Sequence, residues 1–552
     1  MKKTILLSIL TLGLLINLQA QTKNKIMSTS STKPFVWQGA NLYFLLVDRF
    51  NKSESKPKIF FNRTKTASKL RGFEGGSING IAQKIDEGYF TKLGINAIWI
   101  TPIVEQIHDG VNEGTGLTYA FHGYWTRDWT ALDPNFGTKA DLAKMISKAH
   151  AKGIRVMLDA VINHTGPVTE MDSVWPESWV RTGPTCDYKG FKNNTECTLV
   201  SNLPDIKTES TTEVGLPLFL IEKWKKEGRY KKELASIDAF FLRTGYPRLP
   251  KYYIMKWLTD YIIEFGIDGY RCDTVKHTEE VVWKDFQVQC QAAFGIWKNN
   301  NPSKVLDNNN FFTIAEVYNY SIDNGKFFDF GDKKVNYYDN GFNAMINFDF
   351  KVYCKDTYQN IFLHHSQKLN NDLKGFSVLN YISSHDDGNP FDGKREKAIE
   401  AGTKLLLSPG ISQVYYGDES ARSLIVQGTQ GDATLRSNMN WNDIKTNPET
   451  QKILLHWQKL GQFRNNHPAV GAGVHNQIQQ NSYVFSRIFQ KNNINDIVII
   501  GLDMPIGKKE IGVNNLFANG ITLNDAYSGK TAVVANGKVI IESNFDIVLL
   551  EK

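Results

Sequence analysis

Short apolar runs alternate with helical periodicities through most of the chain. The runs 42–47, 97–101, 155–161, 267–272, 311–315, 344–348, 377–382 and 412–416 are mostly rich in β-branched or aromatic residues and bounded by Gly, Asn or Pro, which reads as strands. Apolar positions at helical spacing predict helices in the gaps, for example over 139–151, 252–265 and 396–407. Strands alternating with helices in this way predict an α/β fold, a (β/α)8 TIM barrel.

One gap breaks the rhythm. Between the third and fourth predicted strands, only the stretch from Tyr252 onward looks like the expected helix, and the rest is rich in Thr, Asn, Gly and Pro. A segment that long inside a compact domain is a functional insertion. It predicts an irregular inserted domain over 165–250, after strand three. Beyond residue 466 the pattern changes to short strand-like runs, such as 482–489, 496–502 and 538–541, separated by Gly and Asn turns. This predicts a C-terminal all-β sandwich domain over 466–552, with the barrel built from 21–164 and 251–465.

The first twenty residues have a basic start at Lys2 and Lys3, an apolar stretch over 5–18, and Leu18-Gln19-Ala20 before a cleavage point ahead of Gln21. That is the layout of a signal peptide, and it predicts a periplasmic or secreted protein. No Cys follows the stretch, so a lipid anchor is not expected, and no later stretch is apolar enough to span a membrane. The net charge of +7 is spread along the chain with lysines and acids interleaved, which predicts no nucleic-acid partner. A monomer is expected. Export permits disulfides, and Cys186 and Cys197 lie close together in one polar stretch, where a bridge is plausible. Cys272 falls inside a predicted strand and reads as a buried thiol. With five cysteines in all, at least one is left free or pairs between molecules.

In a parallel barrel the chemistry sits where the strands end at their carboxyl side. Strand three runs into "DAVINH", with Asp159, Asn163 and His164, and strand four into "GIDGYRCDTVKH", with Arg271, Asp273, Lys276 and His277. Strand five ends at Glu316, and strand seven runs into "SSHDDG", with His385, Asp386 and Asp387. Arg271 and Asp273, two apart on a strand, face the same side. An arginine there holds a carboxylate in its charged form, ready to act as a nucleophile. Glu316, from the next strand, is placed to stay protonated as a general acid. Two such carboxyls about 5 Å apart define a retaining glycosidase. A third, Asp386, would stabilise positive charge developing on the sugar. A single acid at a strand end is ordinarily a cap or an ion-pair partner; the joint pattern carries the reading.

These motifs resemble the α-amylase family of retaining glycoside hydrolases, and the resemblance covers nearly the whole chain after the signal peptide. "DAVINH", "GYRCDTVKH", "IAEV" and "SSHDD" match the family's four conserved regions, and "LPDI" over 203–206 its fifth, within the inserted domain. "HGYWTRDWTALDPNFGT" and "LRGFEGGSINGI" are most similar to bacterial periplasmic members. The resemblance implies Asp273 as nucleophile, Glu316 as acid/base and Asp386 as transition-state stabiliser. It places His164, Arg271 and His385 around the cleaved sugar. Through "FHGYW" it adds His122 and Tyr124, with Trp125 beside them, as sugar-binding residues.

The resemblance also implies a calcium ion joining the barrel to the inserted domain. Its ligands match Asn163, Asp205 and the backbone carbonyl of His277, all hard oxygen donors. Asp187 does not align securely as a further ligand. Ser384 stands where chloride-dependent relatives carry Asn, so chloride is not expected. The Lys276-His277 pair is typical of members acting on α-1,4 bonds, with Lys276 on the leaving-group side. The implied activity is therefore endo-hydrolysis of α-1,4 bonds in an α-glucan: starch, glycogen or maltodextrins. Two alternatives stay open: a glucan-transferring or cyclodextrin- or pullulan-cleaving relative, and a glucan-binding protein without catalysis.

Overall fold

The computed structural model describes residues 35–53, 58–61, 63–480, 482–491 and 493–552. The signal-peptide expectation falls outside these residues. Eight parallel strands close into a barrel: β1 (Asn41–Leu45), β2 (Ala97–Ile100), β3 (Arg155–Ala160), β4 (Gly269–Cys272), β5 (Phe312–Ala315), β6 (Ala344–Asn347), β7 (Ser377–Tyr381) and β8 (Ile411–Tyr415). Each strand pairs with its sequence neighbours, and β1 closes the ring on β8. All eight predicted strands are present. Every residue in them is buried, because helices cover the outside and side chains fill the inside, so these strands read as predominantly apolar runs. Phe44 of β1 and Trp99 of β2 stack with ring centroids 3.7 Å apart inside the barrel.

The helices follow local sequence signals. Lys139–Ala151 begins at a capping box in which Thr138 and Asp141 satisfy each other's backbone N–H groups. Pro250–Phe265 starts on a proline and ends at Gly266, at φ 71°. A Cβ on Gly266 would lie 1.9 Å from the Trp297 ring, so this turn accepts only glycine.

The stretch between β3 and β4 is not irregular throughout. It contains the two-stranded sheet Val180–Arg181 with Asp205–Ile206, the bridged pair Cys186–Cys197, and two helices, Leu218–Lys226 and Tyr230–Thr244. Leu220 and Trp224, then Ile237, Phe240 and Phe241, give those helices their buried faces at i, i+3, i+4 spacing. Cys272, Cys290 and Cys354 are free and buried.

At the C-terminal end, a six-stranded antiparallel sheet runs in the order Val474–Gln479, Val484–Lys491, Ile494–Gly501, Val548–Glu551, Thr522–Asp525 and Lys530–Val533. A second pair, Gly507–Gly512 with Lys538–Ser543, packs with it over a core of Val484, Ile499, Leu523, Val539, Ile541 and Leu550. Lys538–Ser543 alternates exposed and buried residues, as a strand with one wet face must. Among the described residues, no helix is long and apolar enough to cross a membrane.

Candidate active site

The parallel register sets Arg271 of β4 directly beside Asp159 of β3. From that position one guanidinium, 1% exposed, serves three carboxylates. Its Nη1 lies 2.9 and 3.1 Å from the two Asp159 oxygens and 2.7 Å from Asp273 Oδ1, and its Nη2 lies 2.8 Å from Glu316 Oε1. Asp273 and Glu316 therefore sit on opposite arms of one planar group.

The backbone is built around the same point. Beyond the strand ends, Asp273 N–H donates to the Ala160 carbonyl and Glu316 N–H to the Cys272 carbonyl, extending the ladder to the acids. Thr274 follows in the left-handed region at φ 48°, an uncommon conformation for a β-branched residue. This turn aims its N–H at Glu316 Oε2, 2.8 Å away. Strain of this kind persists where the surroundings over-determine it.

The charges are held in tension. Burial pushes Glu316 up to about 8, and the charges of Asp273 and Asp386 add to the rise against the pull of Arg271. Burial likewise raises Asp159 to about 7, with the charge of Asp273 adding to the rise and Arg271 and a hydrogen bond from Tyr124 opposing it. Trp99 Nε1 also donates to Asp159, at 3.1 Å. Asp386 goes the other way. Desolvation in the cleft raises it, but His385, Arg271, Arg436 and a Ser384 hydrogen bond outweigh that, and the net shift is down.

The histidines line the same rim as neutral rings. Burial lowers His385 to about 4 and also lowers His164 and His122. His122 Nδ1 accepts from Tyr124 N–H at 3.1 Å, which makes Nε2 the protonated nitrogen of the neutral ring. Tyr124 stacks on His385 at 5.4 Å and donates to Asp159 at 2.9 Å. Trp125 is turned instead into a small apolar cluster with Ile107, Ala120 and Leu203, where it backs His122 edge-on. Lys276 lies 5.2 Å from the Tyr318 ring and 5.9 Å from the Tyr188 ring. His277 is buried, with Nδ1 2.9 Å from the Asn194 carbonyl of the Cys186–Cys197 loop.

Of the expected calcium ligands, Asn163 and Asp205 come together through backbone pairing. Ile206 N–H donates to the Asn163 carbonyl at 2.7 Å, and His164 bridges to Asp205. Thr278 Oγ1 lies 3.5 Å from Asn163 Oδ1, which brings the end of the 275–277 turn to the same place. Asp205 is 1% exposed and ion-paired to Arg181 Nε at 2.8 Å, yet its Oδ1 has no hydrogen-bond partner among the described residues. Asp187 is exposed and caps the Lys189 N–H. Among the described residues, no three His, Cys, Asp or Glu side chains gather as metal ligands.

Several members of this site are not apparent from motif spacing. Trp99 and Thr274 act through a ring nitrogen and a backbone N–H. Arg436, distant in sequence, donates to the His385 carbonyl at 2.8 Å. An arginine near the barrel's end is no signal by itself.

The profile described as "Alpha amylase, catalytic domain" matches residues 44–454. The periplasmic α-amylase of Escherichia coli (strain K12) is 34% identical over 503 residues, which cover 81% of this chain and 69% of that protein. A cyclomaltodextrin glucanotransferase of Geobacillus stearothermophilus is 29% identical over 480 residues, 84% of this chain and 59% of that protein. In fold, the chain is similar to the acarbose-complexed α-amylase of Geobacillus thermoleovorans, with a TM-score of 0.62, 19% identity, and coverage of 94% of this chain and 100% of that one. A closed parallel barrel with clustered acids on its rim, matched along three quarters of its length by that catalytic-domain profile, places this chain in the α-amylase family of glycoside hydrolases.

Proposed function

We propose that this protein is a retaining, endo-acting α-amylase that hydrolyses α-1,4 bonds in starch, glycogen or maltodextrins. The observation that carries the reading is the single Arg271 guanidinium spanning Asp273 and Glu316, with Glu316 pushed up to about 8. Both carboxylates touch the one cation, and burial leaves Glu316 its proton at neutral pH beside Asp273. That division of labour is the one a two-carboxylate retaining mechanism needs.

In the first step Asp273 attacks the anomeric carbon while Glu316 gives its proton to the leaving oxygen. In the second, Glu316, now ionised, takes a proton from water as that water displaces Asp273. Asp386, held ionised, faces the positive charge that develops on the ring. Neutral His122, His164 and His385 offer hydrogen bonds to sugar hydroxyls, and the Tyr124 ring offers a face to stack on. Lys276, ringed by Tyr188 and Tyr318, reaches toward the leaving side.

A time course of products from amylose, pullulan and maltoheptaose tests this. Internal cuts in amylose with new α-anomeric reducing ends, and little action on pullulan, are expected. Cyclic or transferred glucans outweighing new reducing ends would instead support the second reading, glucan transfer, which the similarity to a glucanotransferase favours.

Calcium fits the residues present. Asn163, Asp205 and the His277 carbonyl would hold it, and the buried, unpartnered Asp205 Oδ1 is the oxygen most in need of a cation. Bound there, calcium would neutralise buried charge and fix the inserted segment to the rim. Chelation is expected to lower the melting temperature reversibly. An unchanged melting curve and unchanged activity would remove the ion from the account. We also infer export directed by residues 1–20, which a mature protein beginning at Met1 would contradict.

A further inference from the structure

Asp386 is the least restrained of the three acids. Asp273 is held by Arg271, and Glu316 by both Arg271 and the Thr274 N–H. The Asp386 side chain is 42% exposed. It receives a hydrogen bond from Ser384 Oγ at 3.2 Å and lies 3.6 Å from His385 Nε2. Its place therefore depends on the backbone at either side. On the amino side, the His385 carbonyl accepts from Arg436 at 2.8 Å, and Ser383 Oγ donates to Asp418 at 2.5 Å.

On the carboxyl side the anchor is the next residue. Asp387 Oδ2 accepts a 2.6 Å hydrogen bond from the Tyr381 hydroxyl and is ion-paired with Lys351, on the short helix Phe350–Tyr353 after β6. Asp387 Oδ1 takes the Asn389 N–H at 3.1 Å. Both charged side chains are shielded, at 15% and 11% exposure. A shielded pair is costly to break, because the remaining charge stays buried without a partner.

We propose that Lys351, Tyr381 and Asp387 form a positioning device that ties the loop after β7 to β6 and holds Asp386 in its working place. The inference rests on the glucan-cleaving reading and names residues to which that reading gives no role. The device has a geometric part and an electrostatic part. Lys351 cancels the charge of Asp387. Without it, a second carboxylate would stand next to Asp386, which already faces Glu316 and is kept ionised by Arg271 and Arg436. A like charge raises a carboxylate's pKa, and an unpaired cation lowers it.

The test compares Lys351→Met, Asp387→Asn and Tyr381→Phe with wild type in the full chain, by kcat and KM on maltoheptaose, pH profile and melting temperature. Each variant is expected to lose about tenfold or more in kcat, since small misplacements of a reacting group are that costly. KM should stay within about twofold, the mark of an interaction realised in the transition state. The acid limb of the profile should move to higher pH in Lys351→Met and to lower pH in Asp387→Asn. A purely structural role would not produce opposite shifts. Tyr381→Phe keeps the ring packing, so it reports on the clamp even where the charge variants melt early, and its acid limb should not move. Wild-type kcat in Tyr381→Phe and Lys351→Met, or limbs that move together, would overturn the device while leaving the proposed activity intact. A wild-type protein that leaves amylose and maltoheptaose uncut would overturn both.

Discussion

Two buried arginine sites in this molecule use the same group to opposite ends. Arg271, at the carboxyl ends of the barrel strands, is surrounded by Asp159, Asp273 and Glu316. Arg464, on the helix Pro448–Asn466, is equally buried, but it donates to the carbonyls of Leu406, Ser408 and Gly410. Arg487, from the C-terminal sheet, repeats that arrangement on the Val470 and Leu407 carbonyls at 2.6 and 3.2 Å. Among the described residues, neither of these two has a carboxylate partner. Carbonyls do not titrate, so the second site is a fixed seam between barrel and sheet. Carboxylates do titrate, and burial, opposed by Arg271 and reinforced by the charge of Asp273, leaves Glu316 at about 8 and Asp159 at about 7. Buried arginine thus clasps fixed carbonyls in one place and sits among titrating carboxylates in the other.

The sharpest way to break the contrast is Glu316→Gln. It keeps the size and the Thr274 hydrogen bond but removes the proton donor, and turnover should fall about 10³-fold or more while glucan binding survives. Near-wild-type turnover would end the assignment. Next in size is Arg464→Met. It strips the donors from buried carbonyls, so unfolding free energy should drop by about 3 kcal/mol, with activity per folded molecule unchanged. If that variant lost turnover at full stability, the seam would not be merely structural. The smallest effect is in the wild-type pH profile. As the proposed general acid, Glu316 would need its proton, and its raised pKa keeps it protonated up to about 8. Its contribution is present below that value and lost as pH rises through it, so kcat/KM should decline on the alkaline side near pH 8. A profile flat to pH 10 would contradict the burial argument.

Much of this was readable before any coordinates. All eight barrel strands appear where apolar-rich runs predict them, because strands buried on both faces are mostly apolar, with Asp159 and Arg271 as functional exceptions. The bridge that the short polar spacing of Cys186 and Cys197 makes plausible is formed. The helices Leu218–Lys226 and Tyr230–Thr244 are not apparent from the sequence pattern. Their apolar stripes are narrow, and the Thr- and Gly-rich sequence around them hides the period. Trp125 stands beside Tyr124 in the same motif, but adjacent residues in an irregular loop have no fixed common face. One of the pair points to Asp159 and the other into an apolar cluster.

The sequence alone determined the barrel, the identity of its strand-end acids, and the i, i+2 relation of Arg271 and Asp273. These follow from local periodicity and from residue type. Only the tertiary structure decided that Arg271 would also take Asp159 and Glu316, that a left-handed Thr274 would hand Glu316 its N–H, and that Lys351 would reach Asp387. Those contacts depend on strand register, loop conformation and burial, which are set by packing between segments far apart in the chain. Proton affinities follow from the same source. A carboxylate's charge is governed by what water it has lost and which charges surround it, and its sequence neighbours supply only part of that: Ser384 and His385 adjoin Asp386, but Arg271 and Arg436 reach it only through the fold.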